Sequence, residues 1–358
     1  MKTLLSRGVR TAAIVLVAGA ALWSAGEAAA WNAHGHRVIT RLALEGLPAD
    51  APAWVRDPVF AGMIAEESVE PDRWRGTRMP PLGHENGPDH YLDVELLDQF
   101  GLTLASVPKY RYDYLRVMAI AKHEHPERVE PYDLGDDDQR QYEWPGFAAH
   151  AMTEHYAKLR SSFHTWRVLE AIVKDDPSQR ETRAAQIELA RLNAIYHMGV
   201  LSHFVGDMSQ PLHATKHHHG WVGENPDGFT ADRGFHAYVD GRILEIHSLD
   251  VDGLRAGMSY DVRVNAADPW EDVIRYVGAT FENVRPLYEL QKSGDLEKEP
   301  GKALIEARLR AGGAMLAALY TAAWENSAPT DQDVASFIRF SPPERTEPAG
   351  GRGVQPGR

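Results

Sequence analysis

The stretch LSHFVGDMSQPLH, residues 201–213, carries both a fold signal and a chemical one. His203 and Asp207 stand four apart, so on an α-helix their side chains leave the same face and converge. Gly206 lets another element approach closely, and Pro211 ends the helix so that His213 can turn back toward the same place. Phe204, Val205 and Met208 mark the segment as buried, and a carboxylate there is costly unless something neutralises it. A lone His203 reads equally well as a core histidine bonded to a carbonyl. Asp207 is harder to explain without a cation.

Working outward, helical periodicity dominates. Ser178 and Glu181, just after Pro177, form a capping-box pattern predicting a long helix that reaches about Ser209. Phe163, Trp166, Leu169, Ile172 and Val173 make an apolar stripe before Pro177, and Val38, Ile39, Leu42 and Ala43 make another ending near Gly46. Asp268-Pro269 opens a further helix with Val273, Tyr276, Val277, Phe281 and Val284 on one face. Lys302 to Trp324, rich in Ala and Leu, reads as a last buried helix. No alternating run argues for a sheet and no repeat has a fixed period. The expected fold class is therefore all-α, a single mainly helical domain over 31–340. Residues 124–146 and 214–234 read as loops or insertions, and the Pro, Gly and Arg of 341–358 as a disordered tail.

The amino terminus reads as a secretory signal peptide over residues 1–30. Lys2, Arg7 and Arg10 precede an apolar run from about Thr11 to Trp23, with Ala28 and Ala30 at the small-residue cleavage site. The run is shorter than the roughly 20 residues of a membrane span. Cleavage between Ala30 and Trp31 predicts a secreted or periplasmic protein with no stable membrane insertion. The net charge is −13, and the leader holds three positive charges and one negative, so its removal leaves −15. So acidic a chain has no general attraction for nucleic acid or anionic lipid, and a phosphate-ester substrate would need local metal charge. There is no cysteine in the chain, so in an oxidising compartment packing or bound metal must replace disulfides. No protein partner is implied.

A second His-x-x-x-Asp pair stands at His236 and Asp240. One such pair is expected by chance among 17 histidines; two, the first with His213 beyond it, are a much stronger signal. Asp72, in EPDRWRG, and His90, in PDHYLDVE, add further oxygen and nitrogen donors. Imidazoles and carboxylates without thiolates suit zinc. His217 to His219 read as a solvated loop, and His34 carries no assigned role.

These residues resemble the zinc-dependent S1/P1-type nucleases and their phospholipase C relatives. The resemblance rests on Trp31 at a mature amino terminus with His36 five positions on, on Asp72-x-x-Arg75, on HYLD from His90, on SHFVGDMSQPLH, and on His236 with Asp240. It implies the helical phospholipase C/P1 nuclease fold, with loop insertions, and three Zn2+. Asp72, His90, His203 and Asp207 would hold the first ion and His213, His236 and Asp240 the second. The freed amino group and carbonyl oxygen of Trp31, with His36 and Asp207, would hold the third. Signal cleavage would thus turn an amide nitrogen into a ligand. The implied activity is hydrolysis of single-stranded nucleic acid or nucleotides by a metal-activated hydroxide, with 3′-phosphate removal as a further activity. Asp72 would orient the nucleophile, and Arg75 would stabilise the transition state, an ordinary salt bridge being its alternative. Tyr91 and Asp93 fall where the nucleases hold a base, although Tyr91 reads equally as core packing. The interval from His90 to His203 is longer than in those nucleases and predicts an insertion beside the cleft. A phospholipase C and a non-catalytic zinc-binding protein are the competing readings.

Overall fold

The computed structural model describes residues 31–77, 79–132, 135, 137 and 139–343. The leader, and the tail from 344 onward, lie outside the described residues. The fold is a single mainly helical one, with no strand among the described residues. In chain order the helices are α1 (Ala33–Glu45), α2 (Pro58–Glu67), α3 (Glu70–Gly76), α4 (Pro80–Asn86), α5 (Arg111–Glu124), α6 (Ala148–Asp175), α7 (Gln179–Thr182) and α8 (Ala184–Asp207). They continue with the short α9 (Phe235–Ala237), α10 (Ile243–Ile246) and α11 (Val251–Arg255), then α12 (Trp270–Phe281), α13 (Val284–Ser293), α14 (Glu299–Glu325) and α15 (Asp331–Phe340). No described helix is long and apolar enough to cross a membrane.

Helix α8 is the axis of the molecule, packed against α6 along its length and touched by α1, α2 and α14. Everything from Met198 to Asp207 is buried, which is why this segment is apolar on every face rather than striped. Helix α1 starts where the Asn32 side chain accepts from the His34 and Gly35 amides, and it buries the expected stripe of Val38, Ile39, Leu42 and Ala43. Gly206 does what the sequence asked of it: a Cβ there would stand 2.7 Å from His36 Nδ1 and 3.1 Å from its Cε1, so glycine lets α1 bring that ring against α8. At the end of α8, the buried Arg308 of α14 donates to the Ser209 carbonyl at 2.9 Å and to Thr280 Oγ1 at 2.9 Å. A cation closing on spent carbonyls suits a helix C-terminus.

Three expectations need correction. The capping box at Ser178 does not form: the Ser178 amide and hydroxyl both donate to Asp176 Oδ1, at 3.1 and 2.6 Å. This asparte-centred turn leads only into the short α7, and the chain then breaks at Arg183, whose φ is −107°. Arg183 is buried and reaches Gln179 and Gln186 side chains and the Ser341 carbonyl, a distant demand that outweighs helix continuity. The long helix therefore starts at Ala184 and ends at Asp207. Similarly, Val284 does not continue α12, because the helix stops at Phe281 and Val284 opens α13. Helices α2 to α5, α9 to α11, α13 and α15 were not anticipated; α15 starts on a true capping box between Thr330 and Asp333. The described residues of 125–147, and residues 215–234, are irregular, as expected.

Candidate metal centre

Five parts of the chain deliver side chains to one buried place. α1 brings His36, α3 brings Asp72 and Arg75, and a short 3-10 turn over Gly87–His90 brings His90. The end of α8 brings His203 and Asp207, and the turn after it, opened by Pro211, brings His213. His236 lies in α9 and Asp240 in the π-helical turn Tyr238–Arg242 that follows, a distortion typical of functional positions.

Asp207 is the hub. Its Oδ1 lies 3.4 Å from His36 Nε2, while its Oδ2 lies 3.0 Å from His90 Nδ1 and 3.3 Å from His203 Nε2. Asp72 Oδ1 is 3.9 Å from both His90 Nδ1 and His203 Nε2. Two sets of donor atoms thus draw within 4.8 Å of one another, His36 with His203 and Asp207, and Asp72 with His90 and His203. Buried His/Asp groups that could hold a metal ion are therefore present. The set His213, His236 and Asp240 is looser: His236 Nε2 lies 3.4 Å from Asp240 Oδ2, and the rings of His213 and His236 are 4.8 Å apart.

The surrounding backbone fixes which nitrogens face inward. His203 Nδ1 donates to the Ser68 carbonyl at 2.8 Å and His213 Nδ1 to the His90 carbonyl at 2.6 Å, leaving each Nε2 lone pair for the centre. Gln210 Nε2 donates to Asp240 Oδ1 at 2.7 Å and leaves Oδ2 toward His236.

The side chains by themselves do not satisfy this site. Ten buried atoms of these residues have no hydrogen-bond partner among the described residues: both nitrogens of His36 and His236, both oxygens of Asp207, Asp72 Oδ1, His90 Nε2, His213 Nε2 and Asp240 Oδ2. At about 1–3 kcal/mol each, such a deficit rivals the whole stability of a domain, about 5–15 kcal/mol. Cations would take the carboxylate oxygens and one nitrogen of each inward-facing imidazole, so the donor set fits a metal.

The electrostatics point the same way. Burial pushes Asp240 well above the carboxylate range, and burial with the Asp207 charge lifts Asp72 to about 6 despite His203. Burial would raise Asp207 too, but the imidazoles of His203 and His90 hold it well below its ordinary value. Burial drives His36, His90 and His236 well below theirs, keeping those three imidazoles neutral, as ligands must be; His203 goes the other way, burial lowering it but the Asp207 and Asp72 charges raising it further, so a cation there would take the place of its proton.

Trp31 is fully buried, its indole donating to Ser209 Oγ at 2.6 Å, while the next amide, of Asn32, donates to the Asp240 carbonyl at 3.0 Å. The chain at residue 31 is thereby tied to the end of α8 and to the Asp240 turn. Arg75 extends from α3 to Tyr142, whose hydroxyl accepts from Nη2 at 3.2 Å.

Tyr91 and Asp93, the two residues expected to hold a base, are both buried. Tyr91 is 7 % exposed, its hydroxyl donates to the Gln141 and Trp144 carbonyls, and its ring stacks on Tyr142 at 5.7 Å. Tyr91 is thus packed, with Tyr142 of the segment before α6 as the covering ring. Asp93 is buried, with Oδ1 4.0 Å from His218 Nδ1, and burial pushes its carboxyl well above the usual range. The run His217–His219 is not a solvated loop: His217 is 6 % exposed and stacks on Trp221 at 3.8 Å, and His218 and His219 turn toward His236. Sequence reasoning missed these last two, although a run of histidines four residues beyond His213 was the available signal. No protein-family model matches the chain and no curated protein matches it, so the functional reading rests on this geometry.

Proposed function

We propose that this chain is a secreted zinc-dependent phosphodiesterase that hydrolyses single-stranded nucleic acid, with removal of 3′-phosphates from nucleotides as a further activity. The observation that carries the reading is Asp207, fully buried, with one oxygen toward His36 and the other toward His90 and His203. A carboxylate divided in this way is suited to bridge two cations. Nitrogen and oxygen donors without thiolates favour zinc. In this reading Asp72, His90, His203 and Asp207 hold one ion. Asp207, His36 and the backbone nitrogen and carbonyl oxygen of Trp31 hold another, once cleavage after Ala30 has freed an amine. His213, His236 and Asp240 hold the third.

Zinc in such a centre supplies Lewis-acid charge, offsetting that of a phosphodiester and making hydroxide available near neutral pH. The protein's own groups supply the rest. Asp72 is the most open of the ligating carboxylates, its side chain 15 % exposed against 0 % for Asp207 and 5 % for Asp240, so it is placed to orient the attacking oxygen. Arg75, one turn further along α3, presents a permanently charged fork to the extra negative charge that develops at phosphorus. Tyr142 holds one arm of that fork, so the insertion positions Arg75.

A phospholipid substrate is the second reading, favoured by the packing of Tyr91, which leaves no open ring at that position for an unpaired base. The test is incubation of the purified mature protein with single-stranded DNA or RNA and with phosphatidylcholine vesicles, each with and without chelator. Nucleotide release that chelator abolishes is the expected result. Diglyceride release without nucleotide release transfers the activity to lipid, and exchangeable zinc with no hydrolysis of either leaves a storage protein.

A further inference from the structure

The loop after His213 brings two more imidazoles to the looser half of the centre, and one of them has the geometry of a ligand. Two imidazoles bound to one tetrahedral zinc, with Zn–N bonds of about 2.0 Å, place their ring centres about 5 Å apart. His213 and His236 are at 4.8 Å, and His219 and His236 at 5.4 Å, both close to that spacing. His218 and His236 are at 6.3 Å, which would need a nearly straight N–Zn–N angle. The nitrogens agree with the rings. His219 Nδ1 is buried with no hydrogen-bond partner among the described residues. His236 Nε2, 3.4 Å from Asp240 Oδ2, is likewise buried without a hydrogen-bond partner among the described residues.

The loop is built to hold this position. His217 stacks on Trp221 and receives the Val222 amide on Nδ1 at 3.1 Å, and its carbonyl accepts from the Tyr288 hydroxyl. Thr215 Oγ1 donates to Glu95 and in turn accepts the His217 amide. Directly after His219, Gly220 adopts φ +88°, and a Cβ there would stand 2.6 Å from the Ala231 backbone. Only glycine lets the chain double back at that point.

We propose that His219 is a fourth ligand of the His213, His236 and Asp240 site, closing it with protein donors alone. This rests on the metal-centre reading above. Four protein ligands make a structural site, whereas a catalytic zinc keeps a position open. Hydrolysis then belongs to the two positions that share Asp207, and the third ion fixes the 214–234 loop against the Asp240 turn.

The test is metal release from the zinc-loaded mature protein into a colorimetric chelator, for wild type, H219A, H219Q and H218A, with the cobalt-substituted absorption spectrum of each. H219A and H219Q are expected to lose one metal equivalent at least about tenfold faster than wild type, the minimum for losing even an indirect contact. Their cobalt bands should also shift, while H218A should match wild type in both respects. Release from H219A at the wild-type rate overturns the assignment, as does equal acceleration in H218A, which would mean loop loosening rather than ligation. A wild-type protein that retains no metal at all overturns the metal centre itself, a different failure from the first two.

Discussion

Gly206→Ala separates the metal centre from the fold. The new methyl would stand 2.7 Å from His36 Nδ1 and 3.1 Å from its Cε1. Ordinary contact begins near 3.5 Å, so the imidazole must retreat by about 0.8 Å. Metal–ligand distances tolerate only about 0.2 Å, so His36 loses its place beside Asp207 Oδ1. The fold itself is affected less. Alanine gains about 1 kcal/mol of helix propensity over glycine, against about 1–3 kcal/mol for overpacking. The net loss of about 0–2 kcal/mol lowers the melting temperature of the metal-free protein by no more than about 8 °C. G206A should therefore remain helical by circular dichroism, yet carry one metal equivalent fewer by elemental analysis and lose phosphodiesterase activity by about 100-fold, the cost of a misplaced catalytic group. A folded G206A with full metal content would refute the reasoning, because His36 could then not be the ligand that contact with Gly206 positions.

Three further outcomes are expected. Chelation should lower the melting temperature of the wild-type protein by roughly 10 °C, since ions held only by the folded state contribute about 4 kcal/mol when present at a thousandfold their dissociation constant; an unchanged melting curve would count against bound metal. His150 is 2 % exposed, and burial lowers its pKa from 6.5 to about 4. The unfolded chain therefore binds the extra proton first, and this residue's contribution, about 3 kcal/mol, is present above pH 6.5 and lost as pH falls toward 4. In metal-free protein, H150F, which keeps a ring beside Tyr114, should lose less stability than wild type between pH 7 and pH 4 in urea titrations. Finally, R308M should destabilise by about 1–3 kcal/mol, because it leaves the buried Ser209 carbonyl without its cationic donor; a neutral result in urea denaturation would remove Arg308 from the support of α8.

Much of the fold was legible because helices announce themselves locally. The stripe of Val38, Ile39, Leu42 and Ala43 with its stop near Gly46 marked α1, and the Ala- and Leu-rich run marked α14. The break at Arg183 was not legible, since its cause is a hydrogen bond to Ser341, 158 residues away. The pairs His203/Asp207 and His236/Asp240 were readable as same-face pairs, yet spacing alone does not say that Asp207 divides its oxygens between α1 and the His90 turn. His219 was passed over because a histidine run in a Gly- and Asn-rich stretch carries no periodicity to say which way it faces.

The sequence by itself determined the all-α class and the same-face His/Asp pairs, because both follow from helical spacing and need no knowledge of neighbours. Only the tertiary structure decided which of the 17 histidines meet, that Tyr91 is covered by Tyr142, and that Trp31 lies beside the Asp240 turn. Those are contacts between residues far apart in the chain, and they are selected by how α1, α8 and the Asp240 turn bury their surfaces together rather than by any local preference of the backbone.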